Sequence, residues 1–295
     1  GGEAAKYNAM RSAIGSLLHN YNRSTGGQVV IFYDEKPALK GQPEGGTGKG
    51  IVVNAIKQMR QVSKIDGKRY DTGNVFKWQS VSLTTQLVWL DDVKSNFPFE
   101  DLHSNSTDGW NIERKHQAEV FIPASESPKV IICSNTIMTN EGTTNKRRQF
   151  IIEFSDYYSS KIITGIEEPV KAEHNCTLFD ENDWDSNEWS KFYSFMVDCS
   201  VYYLKNGLQT YEYKNIVRNQ LLNKTNEDFT EWILNNGVKN GEEYELKEMF
   251  EEYNSDPEFK QATFTNWLRF YARISKLDLN KRKSSGKQYI SINQK

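Results

Sequence analysis

The stretch GQPEGGTGKGIVVNAI, residues 41 to 56, constrains this chain more than any other. A phosphate-binding loop is written G-x-x-x-x-G-K-[ST]: small residues let backbone N–H groups converge on the anion, the lysine reaches the β- and γ-phosphates, and the hydroxyl ligates Mg²⁺. Gly45, Gly46, Gly48 and Lys49 fit that pattern, whereas Pro43 replaces the first glycine and Gly50, followed by Ile51, replaces the hydroxyl residue. The cradle expected for a nucleotide is therefore Glu44, Gly45, Gly46, Thr47, Gly48, Lys49, Gly50 and Ile51. A glycine-rich turn before any amphipathic helix reads the same way, so context decides. Upstream, Val29 to Tyr33 form an apolar, β-branched and aromatic run bounded by Gly26-Gly27 and Pro37, which predicts a buried strand. Downstream, Ile51, Val52, Ala55, Ile56 and Met59 recur at helical spacing, so the glycines join a strand to a helix as the motif demands. The connection from Asp34 to Glu44 is longer than such units usually carry.

Three more apolar runs follow in an ordered series. TTQLVWLDDVK predicts a strand over Leu87 to Leu90 ending in Asp91 and Asp92; beside a phosphate loop, one carboxylate can hold Mg²⁺ and the other orient the attacking water. SPKVIICSNTI predicts a strand over Val130 to Cys133 that ends in Ser134-Asn135, on the edge where open α/β sheets bind ligands. NKRRQFIIEF places Arg147 and Arg148 just before a run from Phe150 to Phe154, where a guanidinium can reach a γ-phosphate in its own subunit or a neighbour's.

Phosphate loop, acid-ended strand, asparagine-ended strand and arginine pair, in this order, resemble the motor domain of superfamily 3 helicases. The segments GGTGKG, LVWLDDV, ERKHQAEVFIPASESPKVIICSN and KRRQFIIEF resemble more closely the helicase half of phage- and mobile-element-type primase-helicases, over residues 25 to 160. The resemblance implies a P-loop, AAA+-like α/β ATPase that forms a ring, usually a homo-hexamer, and translocates on single-stranded DNA with ATP and Mg²⁺. By position, it implies Lys49 on phosphate, Asp91 on Mg²⁺, Asp92 on the attacking water, Asn135 sensing the γ-phosphate, and Arg147 or Arg148 reaching into the next subunit. Gly50 departs from the pattern; a water can take the hydroxyl's place, since Mg²⁺ commonly retains several. Between the acid and asparagine strands, WNIERKHQAEVFIP predicts two short strands joined near Gln117-Ala118. Superfamily 3 helicases carry there a hairpin that grips DNA with a lysine and a histidine, which points to Arg114, Lys115 and His116.

The formal charge of -2 conceals an asymmetry. From Thr263 onward, Arg269, Arg273, Lys276, Lys281, Arg282, Lys283, Lys287 and Lys295 face Asp278 alone, which is +7 against -9 for the rest and suggests a nucleic-acid surface. The same region reads as three short helices and a hairpin, NEDFTEWILNNG, YELKEMFEEYN, TFTNWLRFYARIS and LDLNKRKSSGKQYISIN, the pattern of a winged helix. Phe264, Trp267, Leu268 and Tyr271 form the apolar face of its third helix, leaving Thr265, Asn266, Arg269 and Arg273 outside; Asn266, Arg269 and Arg273 are expected on DNA, with Lys281, Arg282, Lys283 and Lys287 on the wing's phosphate contacts. The organisation expected is an N-terminal helix (1–24), the ATPase core (25–160), an aromatic helical connector (161–225) and a winged helix on duplex or fork DNA (226–295). Cys133, Cys176 and Cys199 lack the spacing of a disulfide framework or zinc site, and no apolar run is long enough for a membrane span. A cytoplasmic protein is expected, and the Gly-Gly start suggests a primase part upstream. Two other functions fit parts of the pattern: a non-catalytic DNA-binding replication protein with a degenerate nucleotide site, and a phosphotransferase, which leaves the basic tail without purpose.

Overall fold

The computed structural model describes residues 2–21, 27–36, 45–138, 143–213, 215–235, 238, 241–253, 256 and 258–294. Glu44 of the expected cradle, Pro43 before it, and Lys295 of the basic tail lie outside the described residues. The chain divides into two compact units, Gly1–Tyr213 and Lys214–Lys295.

In the first unit the elements run α1 (Gly2–Leu17), β1 (Val29–Asp34), α2 (Lys49–Lys57), β2 (Val62–Asp66), β3 (Leu87–Asp91), α3 (Asp101–Thr107), β4 (Trp110–Ile112), β5 (Val120–Ile122), β6 (Lys129–Cys133), α4 (Thr143–Arg148), β7 (Gln149–Phe154), α5 (Tyr157–Ile163), α6 (Pro169–His174) and α7 (Ser186–Asn206). Five strands form one parallel sheet in the order β2-β3-β6-β1-β7. All six residues of β1, VVIFYD, are buried, because a parallel strand in mid-sheet is covered on both faces and needs an unbroken apolar run. At the margin, β2 reads VSKID; a half-exposed edge tolerates that polarity, which is why periodicity alone does not predict this strand. Strand β6 lies between β1 and β3, so the phosphate loop, the asparagine and the acid pair share the carboxyl edge of three adjacent strands.

Helix α1 packs closely on α7 at Gly15, where a side-chain carbon would run into the Cys199 backbone, and Tyr7 is exposed. Helix α7 buries only Met196 and Cys199, so the aromatic connector is less of a core element than its composition suggests.

The second unit contains α8 (Asn215–Lys224), α9 (Glu227–Asn235), β8 (Glu243–Glu245), α10 (Leu246–Tyr253), α11 (Gln261–Ile274), β9 (Leu277–Ser284) and β10 (Lys287–Gln294). Its antiparallel sheet has the order β8-β10-β9, and Phe229, Phe264, Leu268 and Ile290 centre its core. Two local expectations change. Residues 243–245 form a third strand on β10 instead of opening a helix, and Thr265 is buried, its hydroxyl donating to the Gln261 carbonyl at 2.9 Å, instead of facing outward.

Candidate nucleotide-binding site

Lys49 opens α2, and Gly48 caps it with φ 98°, a left-handed conformation that glycine adopts without steric cost. The Lys49 side chain is only 8% exposed. Its ammonium donates to Asp34 Oδ1, to Thr47 Oγ1 at 3.2 Å and to Asn135 Oδ1 at 3.0 Å. Thr47 Oγ1 donates in turn to Asp34 Oδ1 at 2.6 Å. Asn135 Nδ2 continues the chain of contacts to Asp92 Oδ1 at 3.3 Å. Loop lysine, strand-end asparagine and second acid, separated by up to 86 residues in sequence, thus form one network.

Asp34, the last residue of β1, takes part in this network although no motif marks it. The one signal in the sequence is an acid ending an otherwise apolar strand next to a phosphate loop, and the long connection that follows obscures it.

The two acids meet different partners. Asp92 has φ 56°, which turns its carboxylate toward Asn135 and toward Lys68 Nζ at 2.6 Å. Gly67 permits this approach: a side-chain carbon there would lie 2.7 Å from the Asp91 carbonyl oxygen. Asp91 Oδ2 meets Lys64 Nζ at 2.7 Å, and that ammonium also lies over the Trp89 ring, 4.2 Å from its centre. Cys133 ends the strand between Asp91 and Asp34; burial, with the Asp91 charge second, pushes its thiol up to about 12.

Helix α5 roofs the loop. A side-chain carbon at Gly46 would lie 2.5 Å from Ile162 Cδ1, and one at Gly48 3.8 Å from Tyr158 Cδ2, whereas at Gly50 nothing stands within 4 Å. The absent hydroxyl at Gly50 is therefore not a steric necessity. Among the described residues no group of three His, Cys, Asp or Glu side chains is placed to hold a metal alone. Mg²⁺ is usually bound by one or two carboxylates together with phosphate oxygens and waters, a requirement that single strand-end carboxylates can meet; here Asp34 pairs with Lys49, Asp91 with Lys64 and Asp92 with Lys68.

Arg147 and Arg148 are not brought to this network. They precede β7, which pairs in parallel with β1 from Val29↔Gln149, so they stand at the amino edge of the sheet while Lys49 follows the carboxyl edge. Strand β1 alone separates the two edges by about 17 Å. Arg147 is exposed; Arg148 is half-buried and donates to Ser106 Oγ at 2.8 Å.

The β4–β5 hairpin forms as expected, with shorter strands paired from Trp110↔Ile122 to Ile112↔Val120. Lys115 and His116 are exposed at its tip, where His116 takes φ 59°. Arg114 turns back, donating to the Val81 carbonyl at 2.7 Å. In the second unit Arg282 pairs with Glu243, and Lys287 with Glu245 at 2.6 Å, both on one face of the sheet. Lys281 and Lys283 alternate onto the other face, where burial and then the Arg269 charge lower the pKa of Lys281. Arg269 Nη1 donates to Asn266 Oδ1 at 3.1 Å, and the Arg273 guanidinium lies 5.3 Å from the centre of the Phe270 ring.

No family profile matches the chain, and no curated protein is similar to it in sequence. Among solved structures it is similar to the A form apo structure of the NrS-1 C-terminal region, at 16% identity and a TM-score of 0.43, over 99% of this chain and 75% of that one. It is also similar to JCV helicase, at 12% identity and a TM-score of 0.34 over 67% of this chain and 61% of the other. A third likeness is to a point mutant of Thermotoga maritima RuvB, at 10% identity and a TM-score of 0.32 over 99% and 93%.

Proposed function

We propose that the chain is an ATP-dependent DNA helicase or translocase of superfamily 3 type, acting in replication of a phage or mobile element. The observation that carries this reading is the part-buried contact network joining Lys49, Asn135 and Asp92 at the carboxyl edge of a parallel sheet. With a nucleotide bound, Lys49 would leave Asp34 for the β- and γ-phosphates and the first amides of α2 would donate to the same oxygens; a Mg²⁺ held there would supply charge neutralisation. Asp91 would hold the metal, Asp92, which already shares a contact with Asn135, would orient the attacking water, and Asn135 would read the γ-phosphate.

Assembly as a ring, expected to be a hexamer, accounts for the arginines. Placed at the opposite edge of the sheet, Arg147 has no route to its own subunit's phosphates, and its exposure suits a contact with a neighbour's. An exposed apolar row on α7, Tyr193, Val197, Val201 and Leu204, supports subunit contact. Lys115 and His116 at the hairpin tip would hold the single strand in the channel.

The second unit is read as a winged helix whose α11 and β9 bind duplex or fork DNA. Arg269, Lys281 and Lys283 form the phosphate-facing group, because Arg282 and Lys287 are engaged by glutamates. Removing one lysine from a phosphate shallows the slope of log K against log salt by about 0.9, so Lys281→Ala with Lys283→Ala is expected to shallow it by about 1.8 on duplex DNA. Arg282→Ala alone is expected to leave the slope nearly unchanged. Titrations at several salt concentrations check this; a double variant with the parent's slope removes β9 from DNA binding.

One observation favours a second reading. Lys49 is already neutralised by Asp34, as it would be in a DNA-binding protein whose nucleotide site is idle. ATP turnover that rises with single-stranded DNA is required by the first reading and forbidden by the second.

A further inference from the structure

We infer that Asp34 makes nucleotide entry depend on a bound divalent cation, supplying the metal-side oxygen that the loop lacks at Gly50; this rests on the nucleotide-site reading above. The Asp34 side chain is 6% exposed and ends β1 on the carboxyl edge, two strands from Asp91, with Cys133 between them. Its charge is balanced by the Lys49 ammonium, and its Oδ1 also accepts the Thr47 hydroxyl at 2.6 Å. Thr47 is thereby committed to Asp34 and is not a substitute for the hydroxyl missing at Gly50.

Phosphate oxygens that draw Lys49 away leave Asp34 as a buried carboxylate beside further negative charge. Removing one partner of a buried ion pair is strongly unfavourable unless another cation arrives. A nucleotide brings such a cation when it enters as its Mg²⁺ complex, and Mg²⁺ is suited to a site made of one or two carboxylates, phosphate oxygens and water. Metal-free nucleotide has no such compensation and must compete with Asp34 for Lys49. The carboxylate thus stabilises the metal complex and disfavours the bare anion.

The experiment is calorimetric titration of the whole chain with ADP, in Mg²⁺ and in EDTA. The parent is expected to bind Mg-ADP at least about a hundredfold more tightly than metal-free ADP, about two decades in Kd. In Asp34→Asn the ratio should fall below about tenfold, mainly because metal-free ADP binds more tightly once its competitor is gone. Adding Gly50→Ser to Asp34→Asn should restore the preference for Mg-ADP, since the open space at Gly50 admits a hydroxyl. An Asp34→Asn protein that weakens both forms alike would show that Asp34 only positions Lys49 and would overturn the inference. The parent needs no variant to contradict it: equal affinity for ADP with and without Mg²⁺ does so. Absence of ADP binding in either form overturns the nucleotide reading itself.

Discussion

Lys49→Ala is expected to bring ATP hydrolysis to background and, in the same protein, to lower stability by about 3–5 kcal/mol. The first effect follows from losing the loop cation placed to follow the β- and γ-phosphates through the reaction. The second follows from the structure and not from the motif. With side chains 8% and 6% exposed, Lys49 and Asp34 form a buried pair, and alanine strands the carboxylate. Urea unfolding measures the stability change as a shift in midpoint at constant slope. Combining Lys49→Met with Asp34→Asn separates the two effects, because replacing both charges by neutral groups of similar shape relieves the burial penalty. The double variant should regain most of the lost stability and none of the turnover. Turnover that survives Lys49→Ala would take Lys49 out of the mechanism.

Arg147→Ala is expected to cost about 10³–10⁵ in turnover, the range of an arginine that completes a phosphoryl-transfer site. Because β1 holds the two edges of the sheet apart, the loss should be repairable in trans. Mixed with a Lys49→Ala protein, Arg147→Ala subunits should recover hydrolysis wherever an intact arginine meets an intact loop. Arg148→Ala should mainly destabilise, since its guanidinium is tied to Ser106 on α3. No recovery, in mixed rings demonstrated by native mass measurement, would argue against a shared site.

How much of this is legible from the residues depends on whether a feature is local. The loop, the strands that carry Asp91, Asp92 and Asn135, and the β4–β5 hairpin announce themselves through apolar runs closed by polar residues, and the structure places each within a few residues of where those runs end. What the residues do not announce are pairings between distant segments. Asp34 looks like the start of a loop until Lys49 folds back on it, 15 residues later. Arg114 belongs to a basic tip by sequence and to the Val81 carbonyl by geometry. On the wing, Arg282 and Lys287 add to the tail's positive charge when counted along the chain. Their neutralisation depends on Glu243 and Glu245 in β8, a three-residue strand too short to show a period. Edge strand β2 escapes for the converse reason, since its polar residues are tolerated only because one side of it is unpaired.

Helicase function is tested most directly by ATP hydrolysis of the purified chain with and without single-stranded DNA. A DNA-driven translocase predicts Mg²⁺-dependent turnover that rises on adding the strand, falls to background in Lys49→Ala, and loses most of its stimulation in Lys115→Ala while duplex binding by the second unit persists. Turnover absent under every condition, with DNA binding intact, would contradict the helicase reading and leave a DNA-binding protein whose phosphate loop is closed by its own aspartate.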